Sequence, residues 1–258
     1  MEYDVIIVGA GIAGMTAGIY ARRAGLNVLI LESQTYGGQI ISSLKVENWP
    51  GEKGISGSDL SDKIYHQVNN LGVVLKYEEV ELIEKIDSSK RFKVRTDENE
   101  YLCGAIILAV GTEPRKLGEK QTKEAGTRPI SYCATCDGAL YKDKPVVVIG
   151  SGNTAKHEMK YLEKIASKVY HIHHDESIPE DAEAIFVAIG RVPKTDVFGK
   201  LVKLDKDGYV VSDETCSTSQ EGVFVAGDCR KKNLRQLVTA ASDGAIAASG
   251  AVEYLGRQ

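Results

Sequence analysis

Two cysteines separated by two residues, in Ser131-Tyr132-Cys133-Ala134-Thr135-Cys136-Asp137-Gly138, can close a small disulfide ring and open it again. The segment is expected to open a short helix, a setting that lowers thiol pKa values and favours the attacking thiolate. Asp137 stands where a carboxyl can pass a proton to or from the leaving sulfur. A zinc half-site is a competing use for such a pair. The chain has no second Cys-x-x-Cys and no suitably spaced histidine pair to finish it, so no metal is expected. His157, His171, His173 and His174 lie near one another in sequence, but no cysteine or carboxylate falls at a ligand spacing with them. Cys103, Cys216 and Cys229 are isolated and expected to be inert, with Cys229 the most exposed to basic neighbours. An odd total of five, with one close pair, fits a catalytic dithiol in a reducing cytoplasm better than a disulfide framework.

A dithiol of this kind needs a supply of electrons, and the elements around it point to dinucleotides. Tyr3–Val8 reads as a buried parallel strand, followed by Gly9-Ala10-Gly11-Ile12-Ala13-Gly14, a helix to about Ala24, a strand Asn27–Leu31 and then Glu32. Gly9 makes the tight turn, Gly11 lets backbone approach a pyrophosphate, and Gly14 allows helix to pack on strand. The helix N-terminus favours phosphate charge, and Glu32 suits ribose hydroxyls. Which dinucleotide is held does not follow from this unit alone.

The second unit is different. Pro145–Ile149 is strand-like and Gly150-Ser151-Gly152-Asn153-Thr154-Ala155 repeats the fingerprint, with a helix to about Ser167 and a strand Lys168–His173. Glu32 lies 23 residues after the first glycine of its unit, and the same offset here lands on His173. No arginine comes next for a 2′-phosphate; His174, Asp175 and Glu176 stand there, and two carboxylates repel one. Only ten residues, His174 to Glu183, precede the next apolar run, Ala184–Ile189. A parallel crossover takes a dozen or more, so the layer is not expected to continue as a normal mononucleotide fold.

Composition limits the alternatives. With 258 residues, 26% charged, and a net charge of −4, the chain fits neither a nucleic-acid binder nor a membrane protein. The apolar run from Val5 is broken by glycines at turn spacing, against a signal peptide or a span. The small-residue run Ala240–Gly250 suits a helix packed closely on backbone, with no chemistry required.

Taken with Gly37-Gly38-Gln39, Val46-Glu47-Asn48-Trp49-Pro50-Gly51, Ala109-Val110-Gly111-Thr112, Ala188-Ile189-Gly190-Arg191-Val192-Pro193, Gly227-Asp228 and Arg235-Gln236-Leu237-Val238, these motifs resemble the low-molecular-weight thioredoxin reductases over nearly the whole chain. The resemblance implies an α/β fold of two Rossmann-like three-layer domains and a homodimer. An FAD domain would comprise 1–115 and 191–258, and a reduced inserted domain, 116–190, would carry the cysteines. It implies FAD held by Gly9, Gly11, Ile12, Ala13, Gly14, Glu32, Gly38, Gln39, Asn48, Ala109, Gly111, Gly227, Asp228, Arg235, Gln236 and Leu237. It also implies that Cys136 faces the isoalloxazine with Cys133 as partner, and that the inserted domain rotates about joints near Pro114–Leu117 and Gly190–Pro193.

The departure is that the family usually reads His-Arg-Arg where this chain reads His173-His174-Asp175. The chain is therefore similar to the ferredoxin-dependent flavin thioredoxin reductases, which lack a working NADPH site. The expectation is electron flow from ferredoxin through FAD and the Cys133–Cys136 pair to thioredoxin. Arg230, Lys231, Lys232 and Arg235 are the candidate ferredoxin-docking patch. Alternatives are an NADPH-fed reductase with a degenerate domain, a dithiol oxidase running electrons backwards, and a non-enzymatic flavin redox sensor.

Overall fold

The computed structural model describes residues 2–43, 45–86, 91–173 and 175–256. Its elements in chain order are β1 (Glu2–Val8), α1 (Ile12–Arg23), β2 (Val28–Glu32), α2 (Gly57–Asn70), β3 (Val74–Tyr77), β4 (Val80–Ile86), β5 (Arg91–Thr96), β6 (Glu100–Leu108) and β7 (Thr112–Pro114). Next come α3 (Glu119–Ala125), β8 (Ile130–Ser131), α4 (Ala134–Asp137), β9 (Pro145–Ile149), α5 (Asn153–Leu162), β10 (Lys168–Ile172), β11 (Ala184–Val187), β12 (Arg191–Pro193), β13 (Val223–Val225) and α6 (Leu237–Tyr254). The fold is α/β with Rossmann-like units, as the motifs predict. No helix among the described residues is long and apolar enough to cross a membrane.

The chain divides into two compact units: Met1–Leu44, Trp49–Thr112 and Pro193–Gln258 form one, and Lys45–Asn48 with Glu113–Val192 the other. The first holds a sheet in the order β3-β2-β1-β6-β5-β4, with β13 also pairing β6. β3, β2, β1, β6 and β13 run parallel; β4 and β5 pair antiparallel. The buried stretches of β1 and β2 are apolar because a parallel sheet is covered on both faces. The small residues of α6 let it lie against α1: a Cβ at Gly244 would fall 2.2 Å from the Ala13 carbonyl oxygen. That matches the expectation for Ala240–Gly250.

The second unit has a sheet in the order β10-β9-β11-β8, all parallel. Alternate residues of β9 serve two cores. Val147 and Ile149 pack with Leu117, Ala125, Ile178 and Ala182, while Val146 and Val148 pack with Ala134, Ala155 and Leu162. β10 is an edge strand, and the chain returns from it across β9 to β11 without a described helix. β7 and β12, where the chain crosses between the units, pair as a two-stranded ribbon.

Candidate functional site

Cys133 and Cys136 are joined in a disulfide with Cα atoms 5.3 Å apart. Cys133 is the extended residue that caps α4, so the pair does open a short helix. The amides of Cys136 and Asp137 both donate to the Cys133 carbonyl, at 3.1 Å each. Ser131 ties the carboxylate to the pair: its hydroxyl donates to Asp137 Oδ2 at 2.7 Å and accepts from the Cys133 amide at 3.1 Å. Burial and the nearby Asp137 push the Tyr141 hydroxyl up. Both cysteines are half-buried. The other three thiols are fully buried. Burial raises Cys216 to about 11 and Cys229 to about 12, and moves Cys103 in the same direction, so none supplies thiolate near neutrality. The basic neighbours of Cys229 do not activate it.

The first glycine turn is built as its residues require. Gly9 has φ +104°, and a Cβ there would sit 2.4 Å from the Ala109 carbonyl oxygen, so only glycine closes β1 onto the end of β6. Ile12 and Ala13 are buried at the start of α1, and a Cβ at Gly14 would overlap the Gly9 carbonyl at 1.9 Å. Gly11, by contrast, caps α1 and faces open space: a Cβ would meet nothing within 4 Å. Glu32 accepts from the Ala10 amide at 2.8 Å and the Gln34 amide at 3.0 Å. Each oxygen then has one lone-pair direction left for a further donor.

Around that turn the first unit gathers most of the other residues assigned to a cofactor. Gly37 donates to the Ala10 carbonyl at 2.8 Å, and a Cβ on Gly38 would come within 3.4 Å of the Gly11 Cα. Gln39 donates to the Thr112 carbonyl at 2.5 Å and lies beside Gly111. Gly227, in a short turn with Asp228, packs against Ala13. Arg235 lies over the Tyr209 ring at 4.1 Å and donates to the Asp228 carbonyl at 3.1 Å. Gln236 precedes Leu237 at the start of α6, its amide donating to Thr239 Oγ1 at 3.1 Å. Asn48 falls in the segment Lys45–Asn48, which groups with the second unit. The open cradle at Gly11, the acid at Glu32 and the uncapped start of a twelve-residue helix fit a dinucleotide pyrophosphate and ribose.

Arg230, Lys231, Lys232 and Arg235 do not form an exposed basic patch. Asp243, buried in α6, accepts from Lys232 Nζ at 2.7 Å, Arg230 Nη1 at 3.3 Å and the Gly227 amide at 3.0 Å. The Lys232 and Arg230 side chains are 9% and 10% exposed. A buried carboxylate demands counter-charge, and it draws both cations inward. With Arg235 held over Tyr209, Lys231 is the exposed cation of the four. Asp243 was hidden from sequence reasoning by its setting in a run of small residues.

At the second turn Gly150 repeats Gly9: φ is +149°, and a Cβ would lie 2.3 Å from the Ala188 carbonyl oxygen. The far end of this unit departs from the first. β10 ends at Ile172, one residue short of the expected strand. The exposed His173 occupies the place of Glu32, and the His171 ring contacts the Gly150 carbonyl at 2.6 Å. The loop beyond is fastened to α3: buried Gln121 donates to the carbonyls of His173 and Glu176, and Glu124 accepts from the Ile178 amide. His174 lies outside the described residues. Among the described residues no cluster of histidines, cysteines and carboxylates has metal-site geometry.

The family model described as pyridine nucleotide-disulphide oxidoreductase matches residues 3–184 and 175–244. A thioredoxin reductase of Listeria innocua is 36% identical, covering 98% of this chain and 94% of its own. A 34.2 kDa protein in the rubredoxin operon of Clostridium pasteurianum is 35% identical, covering 99% and 98%. The crystal structure of thioredoxin reductase from Streptococcus pyogenes superposes with a TM-score of 0.90 at 31% identity, covering 99% and 98%. The Listeria alignment runs to 301 positions against 258 residues, so that relative carries segments absent from this chain. With the paired cysteines and the two glycine turns in view, the chain belongs to the thioredoxin reductases of the pyridine nucleotide-disulphide oxidoreductase family, and FAD is its cofactor.

Proposed function

We propose that this enzyme reduces thioredoxin with electrons taken from a one-electron protein donor of the ferredoxin class, without an NADPH site. The observation that carries the reading is the end of β10. It is an edge strand that runs into a loop bolted to α3 by Gln121, with His173 where a ribose-binding acid belongs. FAD bound in the first unit supplies the ability to take electrons singly and release them in pairs, which thiols lack. Gly9, Gly11, Gly14, Glu32, Gly38, Gln39, Asp228 and Gln236 would hold it. Cys133 and Cys136 receive the pair and pass it to thioredoxin, and Asp137, seated by Ser131, handles the proton on the sulfur. The driving force is adequate. Ferredoxins near about −400 mV and thioredoxin near about −270 mV differ by roughly 130 mV, on the order of 6 kcal/mol for two electrons. A homodimer in a reducing cytoplasm belongs to the same reading, and light scattering checks the dimer.

A second reading, NADPH-fed reduction through a degenerate domain, is favoured by the preserved turn at Gly150 and Gly152, where a Cβ on Gly152 would meet nothing. Calorimetric titration with NADPH separates the two. The proposal expects no saturable heat; saturation in the micromolar range would favour the second reading.

A further inference from the structure

The second unit holds a half-buried carboxyl that takes no part in the exchange chemistry described above. Glu158 lies on α5, which packs on α4 and the turn after it: a Cβ on Gly138 would come within 3.0 Å of Tyr161 and 3.1 Å of Leu162. The Glu158 carboxyl faces the backbone amide of Ala134, the residue between Cys133 and Thr135. Its Oε2 is buried and has no hydrogen-bond partner among the described residues. Burial raises its pKa to about 7, opposed by the Ala134 amide and by Arg191.

We propose that Glu158 is a positioning residue for disulfide exchange, a carboxyl set beside the backbone between the two cysteines that holds a proton against the charge of the nascent thiolates. It rests on Cys133 and Cys136 cycling between disulfide and dithiol, and not on which donor feeds them. Reduction places an electron pair from the enzyme's FAD into the sulfur–sulfur bond, breaks it and leaves two thiolates. Two protons then complete the dithiol. An ionised Glu158 beside that turn raises the energy of a thiolate, while a neutral one does not, so the proton is distributed over a coupled set and belongs to no single group. Arg191, on β12, acts on Glu158, and α4, on which α5 packs, carries Asp137, with Tyr141 in the turn after it. β9 brings no ionisable side chain, β10 carries Lys168, Tyr170 and His171, and α5 itself carries Lys156, His157, Lys160 and Tyr161.

The experiment reduces the holoenzyme with excess dithiothreitol, removes the reductant, and follows iodoacetamide alkylation of Cys133 and Cys136 by peptide mass across roughly pH 5 to 9. The wild type is expected to show two inflections, the lower near pH 7. Glu158→Gln is expected to show one, displaced downward by about one pH unit, with on the order of tenfold faster alkylation on its rising limb. Arg191→Met, which leaves Glu158 in place, is expected to move the lower inflection upward, and it decides the matter should Glu158→Gln fail to fold. Profiles of either variant that superimpose on the wild type overturn the proposal. If reduction yields no new alkylation of either cysteine in the wild type, the exchange reading itself is wrong and the proposal falls with it. That outcome is recognisable because there is then no profile to compare.

Discussion

Asp243 is a buried carboxyl and Glu158 a half-buried one, and the fold treats them in opposite ways. Asp243 has two cations and an amide around it, so it acts as the hub of a buried ion network beneath the Gly227 turn. Asp243→Ala strands Arg230 and Lys232 without counter-charge, and a loss of about 3–5 kcal/mol in denaturant unfolding is expected. Lys231→Glu, on the exposed neighbour, should stay within about 0.5 kcal/mol by the same measurement. Glu158 has one oxygen without a partner, and its pKa lies above the unfolded value of 4.5, at about 7. The folded state therefore binds more protons than the unfolded state between those values, and stability falls as pH rises through that window. Glu158→Gln, which cannot ionise, should gain on the wild type as pH rises from about 4.5 to 7 and hold a constant lead of about 3 kcal/mol or less above it. Urea unfolding at several pH values checks this; a lead that shrinks with rising pH contradicts it.

Among the elements, the first glycine turn separates a residue kept for the fold from one kept for a ligand. Gly14→Ala places a Cβ 1.9 Å from the Gly9 carbonyl, so backbone must move; unfolding should show a loss of about 1–3 kcal/mol, and flavin content should drop. Gly11→Ala meets no protein atom, so apoprotein stability should stay within about 0.5 kcal/mol while flavin retention after purification falls. The turns, the strand–helix–strand order and the short helix at Cys133 were legible in the sequence because each demands particular residue types at fixed spacing. So was the shortened crossover, from the ten residues before Ala184. The burial of Arg230 and Lys232 was not legible, because it depends on Asp243, more than ten residues away, folding against them. Gln121 and Glu158 carried no motif at all; their roles come from where α3 and α5 pack, which periodicity does not encode.

For the whole molecule, the question is how a two-unit disulfide reductase works when one unit is cut back. The first unit keeps a full sheet and the open cradle beside α1, whereas the second keeps a four-stranded remnant that still seats Cys133 and Cys136. What the remnant retains is what disulfide exchange needs. The most direct measurement is anaerobic absorbance spectroscopy of the purified flavoprotein, titrated in turn with NADPH, NADH and reduced ferredoxin. The flavin is expected to stay oxidised on adding either nicotinamide and to bleach with ferredoxin, after which Cys133 and Cys136 become alkylatable. Rapid bleaching by stoichiometric NADPH would contradict that expectation.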